Sequence, residues 1–257
     1  MAIYSLKKSY QLKDLQEVVF KDLWGDHGIF TTMWIFGKPP KILLFKNHIK
    51  NLIKSLQMYG IQKRHLHKNI LKIINENLSK KIKYNHLLRV ALNKKIISIS
   101  LRKRVSPKSN FDLKLVNLKR EKPQFKNLKY KKILRHLSKM DNSKSDIGLV
   151  YKKMILETGT SNLLFIGHNK IYTPTKGYYE GNTFKFIKSK IKKVIKKNIF
   201  IKDLKNYDEI LLVGSGKGIA SIKTIKQVGW KRKNLKKFKV LSKYYNLITN
   251  KCRPHKF

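Results

Sequence analysis

Acidic residues are scarce in this chain. Its 257 residues hold 14 Asp and Glu against 60 Lys and Arg, a formal net charge of +46. An excess of that size first suggests a nucleic acid or other polyanion as partner. The placement of the charge argues for a blander reading. Lysines run from Lys7 to Lys256 rather than along one stripe, and no helix-turn-helix pattern or RNA-binding aromatic signature accompanies them. Lys, Ile, Asn, Tyr and Phe are all abundant, as AT-rich coding favours, so the charge reads as composition bias on solvated faces. Nonspecific polyanion binding at low salt is its expected consequence. Cysteine is nearly absent: Cys252 alone excludes a disulfide framework and points to a reducing cytoplasm. No Cys/His cluster has zinc-ligand spacing, since His65 and His67 stand alone, so no metal is expected. No run of about 18 apolar residues occurs, so no membrane-spanning helix is expected. The stretch Met1–Gln16 lacks the roughly 7–15-residue apolar core of a signal peptide.

What is present is enough for a folded protein. The chain is 41% hydrophobic, with 12 Phe, 12 Tyr and 3 Trp, too apolar for a disordered polycation. Its pattern is mixed α/β. Gly28–Phe36 reads as a strand, Gly37-Lys38-Pro39-Pro40 as a turn and Ile42–Phe45 as a returning strand. His48–Tyr59 places Ile49, Leu52, Ile53 and Leu56 on one helical face, with Gly60 as a C-cap. A second helix is predicted over Lys68–Leu78, and strands over Leu87–Leu92 and Ile96–Leu101. Arg102–Gln124, with Pro107 and Pro123, reads as a connection containing a strand at Phe111–Val116. Then come a helix (Tyr130–Met140), strands (Ile147–Tyr151, Leu163–Gly167, Lys170–Thr173), a helix (Thr183–Lys196), a strand (Glu209–Val213) and a glycine loop leading to a further helix. No internal repeat is found. The length allows one domain or two small ones.

Two segments carry chemistry. One is Lys126-Asn127-Leu128-Lys129-Tyr130. The other is Glu157-Thr158-Gly159-Thr160-Ser161-Asn162, followed by the apolar run Leu163–Ile166. Together they resemble the active-site spine of the class IV aminotransferases, the pyridoxal 5'-phosphate enzymes of fold type IV. The resemblance spans roughly residues 24–225. It implies an α/β fold of two domains, 1–110 and 111–257 with the boundary near 105–124, like D-amino acid aminotransferase, with the active site at the domain interface and completed in a homodimer. It makes Lys126 the Schiff-base lysine and general base, with Lys129 its neighbouring competitor, and Glu157 the partner of the pyridine nitrogen. Thr173-Pro174 and Tyr178-Tyr179-Glu180-Gly181-Asn182-Thr183 resemble the family's phosphate segment at a helix N-terminus, where the dipole favours an anion. Gly214-Ser215-Gly216 would complete the cup, because glycine lets backbone approach an anion. The cofactor-binding candidates are therefore Glu157, Asn182, Thr183, Ser215, Gly216 and Asn51.

Asn51 is the departure from the family. The helix reads His48-Ile49-Lys50-Asn51-Leu52 where the family has H-x-x-R-L, so an amide stands where a phosphate-binding arginine is expected. Lys50 or Lys54 could supply the missing charge. Phe184 also stands where relatives often carry Arg. Thr31, in a segment resembling the family's G-D-G-x-F-E-T with one extra residue, is a substrate-binding candidate, as are Arg89 and Lys217. Gly214–Gly218 also approaches a Walker loop but lacks the hydroxyl residue after its lysine.

The resemblance implies transamination between an amino acid and a 2-oxo acid. The Gly214-Ser215 pair leans towards the branched-chain type. The alternative is 4-amino-4-deoxychorismate lyase, towards which the chain length and Phe30-Thr31-Thr32 lean. A basic nucleic-acid-binding protein, or a degenerate family member without activity, are the readings of another class.

Overall fold

The computed structural model describes residues 4–61, 64–105 and 110–255; Pro107 of the expected connection lies outside them. The chain divides into two compact units. The first comprises Met1–Arg104, Phe125–Lys131 and Cys252–Phe257, the second Val105–Gln124 and Lys132–Lys251.

The first unit is one antiparallel sheet. Its strands are β1 (Tyr4–Gln11), β2 (Glu17–Val18), β3 (Gly28–Gly37), β4 (Lys41–Ile42), β5 (Tyr84–Asn93) and β6 (Ile96–Lys103), in the order β2-β1-β6-β5-β3-β4. Side chains alternate across a strand, so Ile29, Met33 and Ile35 of β3 share a face. They meet Ile49, Leu52 and Leu56 of α1 (Phe45–Met58) and Ile70, Ile73 and Ile74 of α2 (Leu66–Asn77) in one core. Each such side chain contributes about 1.5–3 kcal/mol when fully buried.

Phe125–Lys131 joins this unit although it follows residue 110. The reason is a backbone lacing onto β3. Phe30 N–H donates to Lys126 C=O (2.9 Å), Leu128 N–H to Gly28 C=O (2.9 Å) and Gly25 N–H to Leu128 C=O (2.8 Å). Leu128 is fully buried beside Leu23, Phe30 and Ala91.

The second unit is a mixed sheet of β7 (Phe111–Asn117), β8 (Ser145–Tyr151), β9 (Met154–Thr158), β10 (Asn162–Gly167), β11 (Lys170–Thr173), β12 (Ile195–Lys196), β13 (Glu209–Gly214), β14 (Gly218–Ile225) and β15 (Trp230–Lys231). The order is β12-β11-β10-β13-β14-β7-β8-β9, with β15 on β14. β7 runs parallel to both β8 and β14, and β11 to β12. Phe111, Phe165, Ile210, Leu212, Ile222 and Trp230 centre its core. The helices are α3 (Lys131–Leu137), whose first residue belongs to the first unit, α4 (Asn182–Ser189) and α5 (Lys236–Asn250).

Several elements differ from the sequence expectation. Leu44 takes a left-handed conformation (φ 54°), so the returning strand stops at Ile42 and Phe45 opens α1. The helix expected over Thr183–Lys196 ends at Ser189. Ile187, Ile191 and Ile195 keep helical spacing, but Ile195 instead pairs with Tyr172 in β12. The glycine loop joins two strands of a hairpin, β13 and β14, rather than a strand and a helix.

Candidate active site

In the first unit, Lys126 is part of the backbone lacing to β3 through its own carbonyl. It is half-buried, with Nζ 5.0 Å from the centroid of the Phe30 ring. Lys129 is exposed, and its ammonium donates to the Gly25 carbonyl at 2.7 Å. The competitor is therefore bound in a loop contact. Beside Lys126 lies His48, a residue quoted in the α1 motif but not singled out. His48 is buried and hydrogen-bonded through Nδ1 to Thr31 Oγ1 at 2.7 Å. Burial, and secondarily the positive charge of Lys126, push its imidazole down from 6.5 to about 3. Asn51 is half-buried one turn further along α1.

Thr31 and Arg89 are not brought together. Arg89 sits opposite Thr32 in the β3–β5 register, so the strand alternation puts Thr31 on the other face. Thr31 faces His48 of α1. The Arg89 guanidinium lies 4.2 Å from the Trp24 ring centroid and donates to the Asp22 carbonyl at 2.6 Å.

The second unit gathers the other six candidates. Glu157 is the penultimate residue of β9 and is 3% exposed. Its Oε1 accepts from Arg120 Nε at 2.8 Å, and its Oε2 lies 3.4 Å from the Tyr179 N–H. Arg120 is itself buried, and nothing in its local sequence marks it. Burial pushes the Tyr179 phenol up to about 12, with the Arg120 guanidinium pulling the other way. Asn162 fixes the segment between Tyr179 and α4. Its Nδ2 donates to Tyr179 C=O at 2.6 Å, and its Oδ1 accepts from Gly181 N–H at 3.0 Å. The chain then enters α4 with Asn182 and Thr183 in the first turn, both buried. Thr183 Oγ1 meets Ser215 Oγ at 3.2 Å. Ser215 and Gly216 are half-buried in the β13–β14 hairpin loop. Two hydroxyls thus converge beside the N–H groups at a helix N-terminus, a combination suited to a phosphate. Lys217 is buried, and its ammonium donates to Asp146 at 2.6 Å.

A pyridinium phosphate needs an acceptor for its ring nitrogen and donors for its phosphate. The loops of this unit offer both, a buried carboxylate and a hydroxyl pair at a helix start. Among the described residues no group of His, Cys, Asp and Glu could hold a metal ion, and no helix is long and apolar enough to cross a membrane.

A fold of these two sheets, with a lysine laced to one and a buried glutamate near the end of a strand of the other, points to a class. The family model "Amino-transferase class IV" matches residues 28–225. The chain belongs to the class IV aminotransferases, an enzyme family that uses pyridoxal phosphate. Among solved structures, the chain resembles the branched-chain aminotransferase of Thermoproteus uzoniensis with norvaline, at 14% identity and TM-score 0.78, over 98% of this chain and 96% of that one. The PLP form of the branched-chain amino acid aminotransferase of Thermobaculum terrenum matches at 14% identity and TM-score 0.74, over 95% and 94%. A Legionella pneumophila protein named as a 4-amino-4-deoxychorismate lyase matches at 19% identity and TM-score 0.69, over 86% and 91%. These likenesses establish fold type IV. No curated protein sequence matches the chain.

Proposed function

We propose that this protein is a pyridoxal 5'-phosphate-dependent transaminase of the branched-chain type, moving an amino group between an amino acid and a 2-oxo acid. The observation that carries the reading is the pairing, on one set of loops, of a buried carboxylate at Glu157 with the Thr183–Ser215 hydroxyl pair at the start of α4. When bound, the cofactor supplies an electron sink for charge developing at the substrate's α-carbon. Glu157, oriented by Arg120, would accept the hydrogen bond of the ring nitrogen. Thr183, Ser215 and the first-turn N–H groups of α4, with Asn182 and Gly216 beside them, would hold the phosphate. Asn51 would add an amide donor where the family has a charge. Lys126 would anchor the cofactor covalently and, as a free amine, take the proton from the substrate α-carbon and return it. Thr31 or Arg89, which stand on opposite faces of the sheet, would act on the substrate side in this proposal, and a second copy of this chain completes the working unit, which sedimentation velocity tests.

The test is spectroscopic. Purified protein is mixed with pyridoxal phosphate, desalted, reduced with borohydride and mapped by peptide. The expected result is a retained yellow band with the label on Lys126, both lost in Lys126→Ala. A wild type that retains no band, or a label on Lys129, would overturn the assignment. A second reading, elimination of pyruvate from aminodeoxychorismate, is favoured by the Phe30-Thr31-Thr32 segment and by the likeness to the Legionella protein. Incubation with aminodeoxychorismate, and separately with leucine and 2-oxoglutarate, separates the two.

A further inference from the structure

Asp146 is the second residue of β8 and is fully buried. Its Oδ2 collects three donors: Thr158 Oγ1 at 2.9 Å, Thr160 Oγ1 at 2.6 Å and Lys217 Nζ at 2.6 Å. Its Oδ1 accepts from the Ile147 N–H at 2.8 Å. The two threonines belong to the tight turn after Glu157, which closes on itself through Thr158 N–H to Ser161 C=O (2.9 Å) and Ser161 N–H to Thr158 Oγ1 (2.8 Å). Lys217 belongs to the other loop, two residues after Ser215. One carboxylate oxygen therefore ties the glutamate turn to the hydroxyl-bearing hairpin tip.

Packing says the same independently. A Cβ on Gly214 would stand 2.8 Å from Ser161 Oγ and 3.2 Å from the Thr160 carbonyl oxygen. The hairpin tip thus rests directly on the turn. On its far side a Cβ at Gly218 would meet the Tyr245 ring of α5 at 2.7 Å. The Lys217 stem passes Phe111, with Nζ 4.7 Å from the ring centroid. An ammonium and a carboxylate this buried are costly to separate, because either alone would be left charged in a poorly solvated place. The pair therefore locks one arrangement of the two loops.

We infer that Asp146 and Lys217 are positioning residues. Their ion pair holds Ser215 in register with Thr183 and fixes the turn that follows Glu157, so the ends proposed to grip the cofactor's ring nitrogen and phosphate are set by one joint. Lys217 works through Asp146 rather than on the substrate. The inference rests on the proposed cofactor site for its consequence, but the joint itself can be tested without cofactor.

The variants are Lys217→Met, Lys217→Arg, Asp146→Asn and the Asp146→Asn/Lys217→Met double. Two readouts are taken: the dissociation constant for pyridoxal phosphate, and amide hydrogen exchange of segments 158–161 and 214–218 in ligand-free protein. Lys217→Met is expected to weaken cofactor binding about tenfold, the size of coupling found within one polar network. It is also expected to speed exchange in both segments. Lys217→Arg restores both, and the double loses less than the sum of the singles. Unchanged affinity and exchange in Lys217→Met, or strictly additive losses in the double, would overturn the joint. If Lys217→Met does not fold, Asp146→Asn takes its place: weaker cofactor binding and faster exchange in both segments support the joint, and unchanged affinity and exchange would overturn it. A wild type that binds no cofactor refutes the proposed function, and exchange in both segments still decides the joint.

Discussion

His48 is a histidine that the fold keeps neutral. It is buried against Thr31, and both burial and the neighbouring Lys126 disfavour its charged form, so its folded value falls to about 3 from 6.5. The unfolded chain takes up a proton below pH 6.5 and the folded chain does not. Stability is therefore lost as pH falls from 6.5 towards 3, by roughly 1.4 kcal/mol per pH unit from this residue alone. Urea unfolding at pH 7 and pH 5 measures it. The wild type is expected to lose more stability over that interval than His48→Gln, which keeps a hydrogen-bonding side chain but cannot titrate. Parallel losses would mean that the imidazole accepts its proton in the folded state. At this scale the sequence showed which residues to look at and not what they do. Lys126 and Glu157 stood out by motif and spacing. Arg120 and Asp146 did not, because a buried ion pair joins residues distant in the chain and leaves no local pattern.

Among the elements, α5 shows how a tertiary contact replaces a local signal. It begins without a side-chain cap of its own and without an acidic residue in its first turn. Glu209, at the start of β13 and buried, fills the place. Its two oxygens accept from the Lys237 and Phe238 N–H groups at 2.8 and 2.9 Å. A carboxylate on those amides satisfies orphan donors and complements the helix dipole. Glu209→Gln is expected to lower stability by about 1–3 kcal/mol without changing the cofactor site, measured as the shift in urea midpoint at constant slope. No shift would mean that solvent caps α5 equally well. The helices legible in the sequence were those with a closed apolar face, such as α1 with Ile49, Leu52 and Leu56. α5 was not legible, since only Leu241 and Tyr245 are buried on it. β1 was hidden by its polar residues, although Tyr10 packs into the core.

For the whole molecule, the two functional ends of the sequence motif fall in different units. Phe125–Lys131, beyond the expected boundary near residue 110, returns to the first unit by backbone bonds to β3. Side chains announce a domain boundary, whereas lacing of this kind uses main-chain groups that every residue possesses. The charge is the other property of the whole. Few of the lysines have an acidic partner to meet, with 14 carboxylates for 60 cations. The observed ion pairs include exposed ones, such as Lys8–Glu17 and Lys72–Glu76, which contribute little. Exposed lysines occur on both units, on α1 at Lys50 and Lys54 and on α5 at Lys239 and Lys243. A surface so charged is expected to bind phosphodiesters by counterion release, which reads no sequence and weakens steeply with salt. Fluorescence anisotropy with two unrelated DNA duplexes is therefore expected to give equal affinities at low salt. Both should fall by orders of magnitude between about 50 and 200 mM salt. A preference for one duplex that survives the higher salt would require a built recognition surface, and the charge would then have a function of its own.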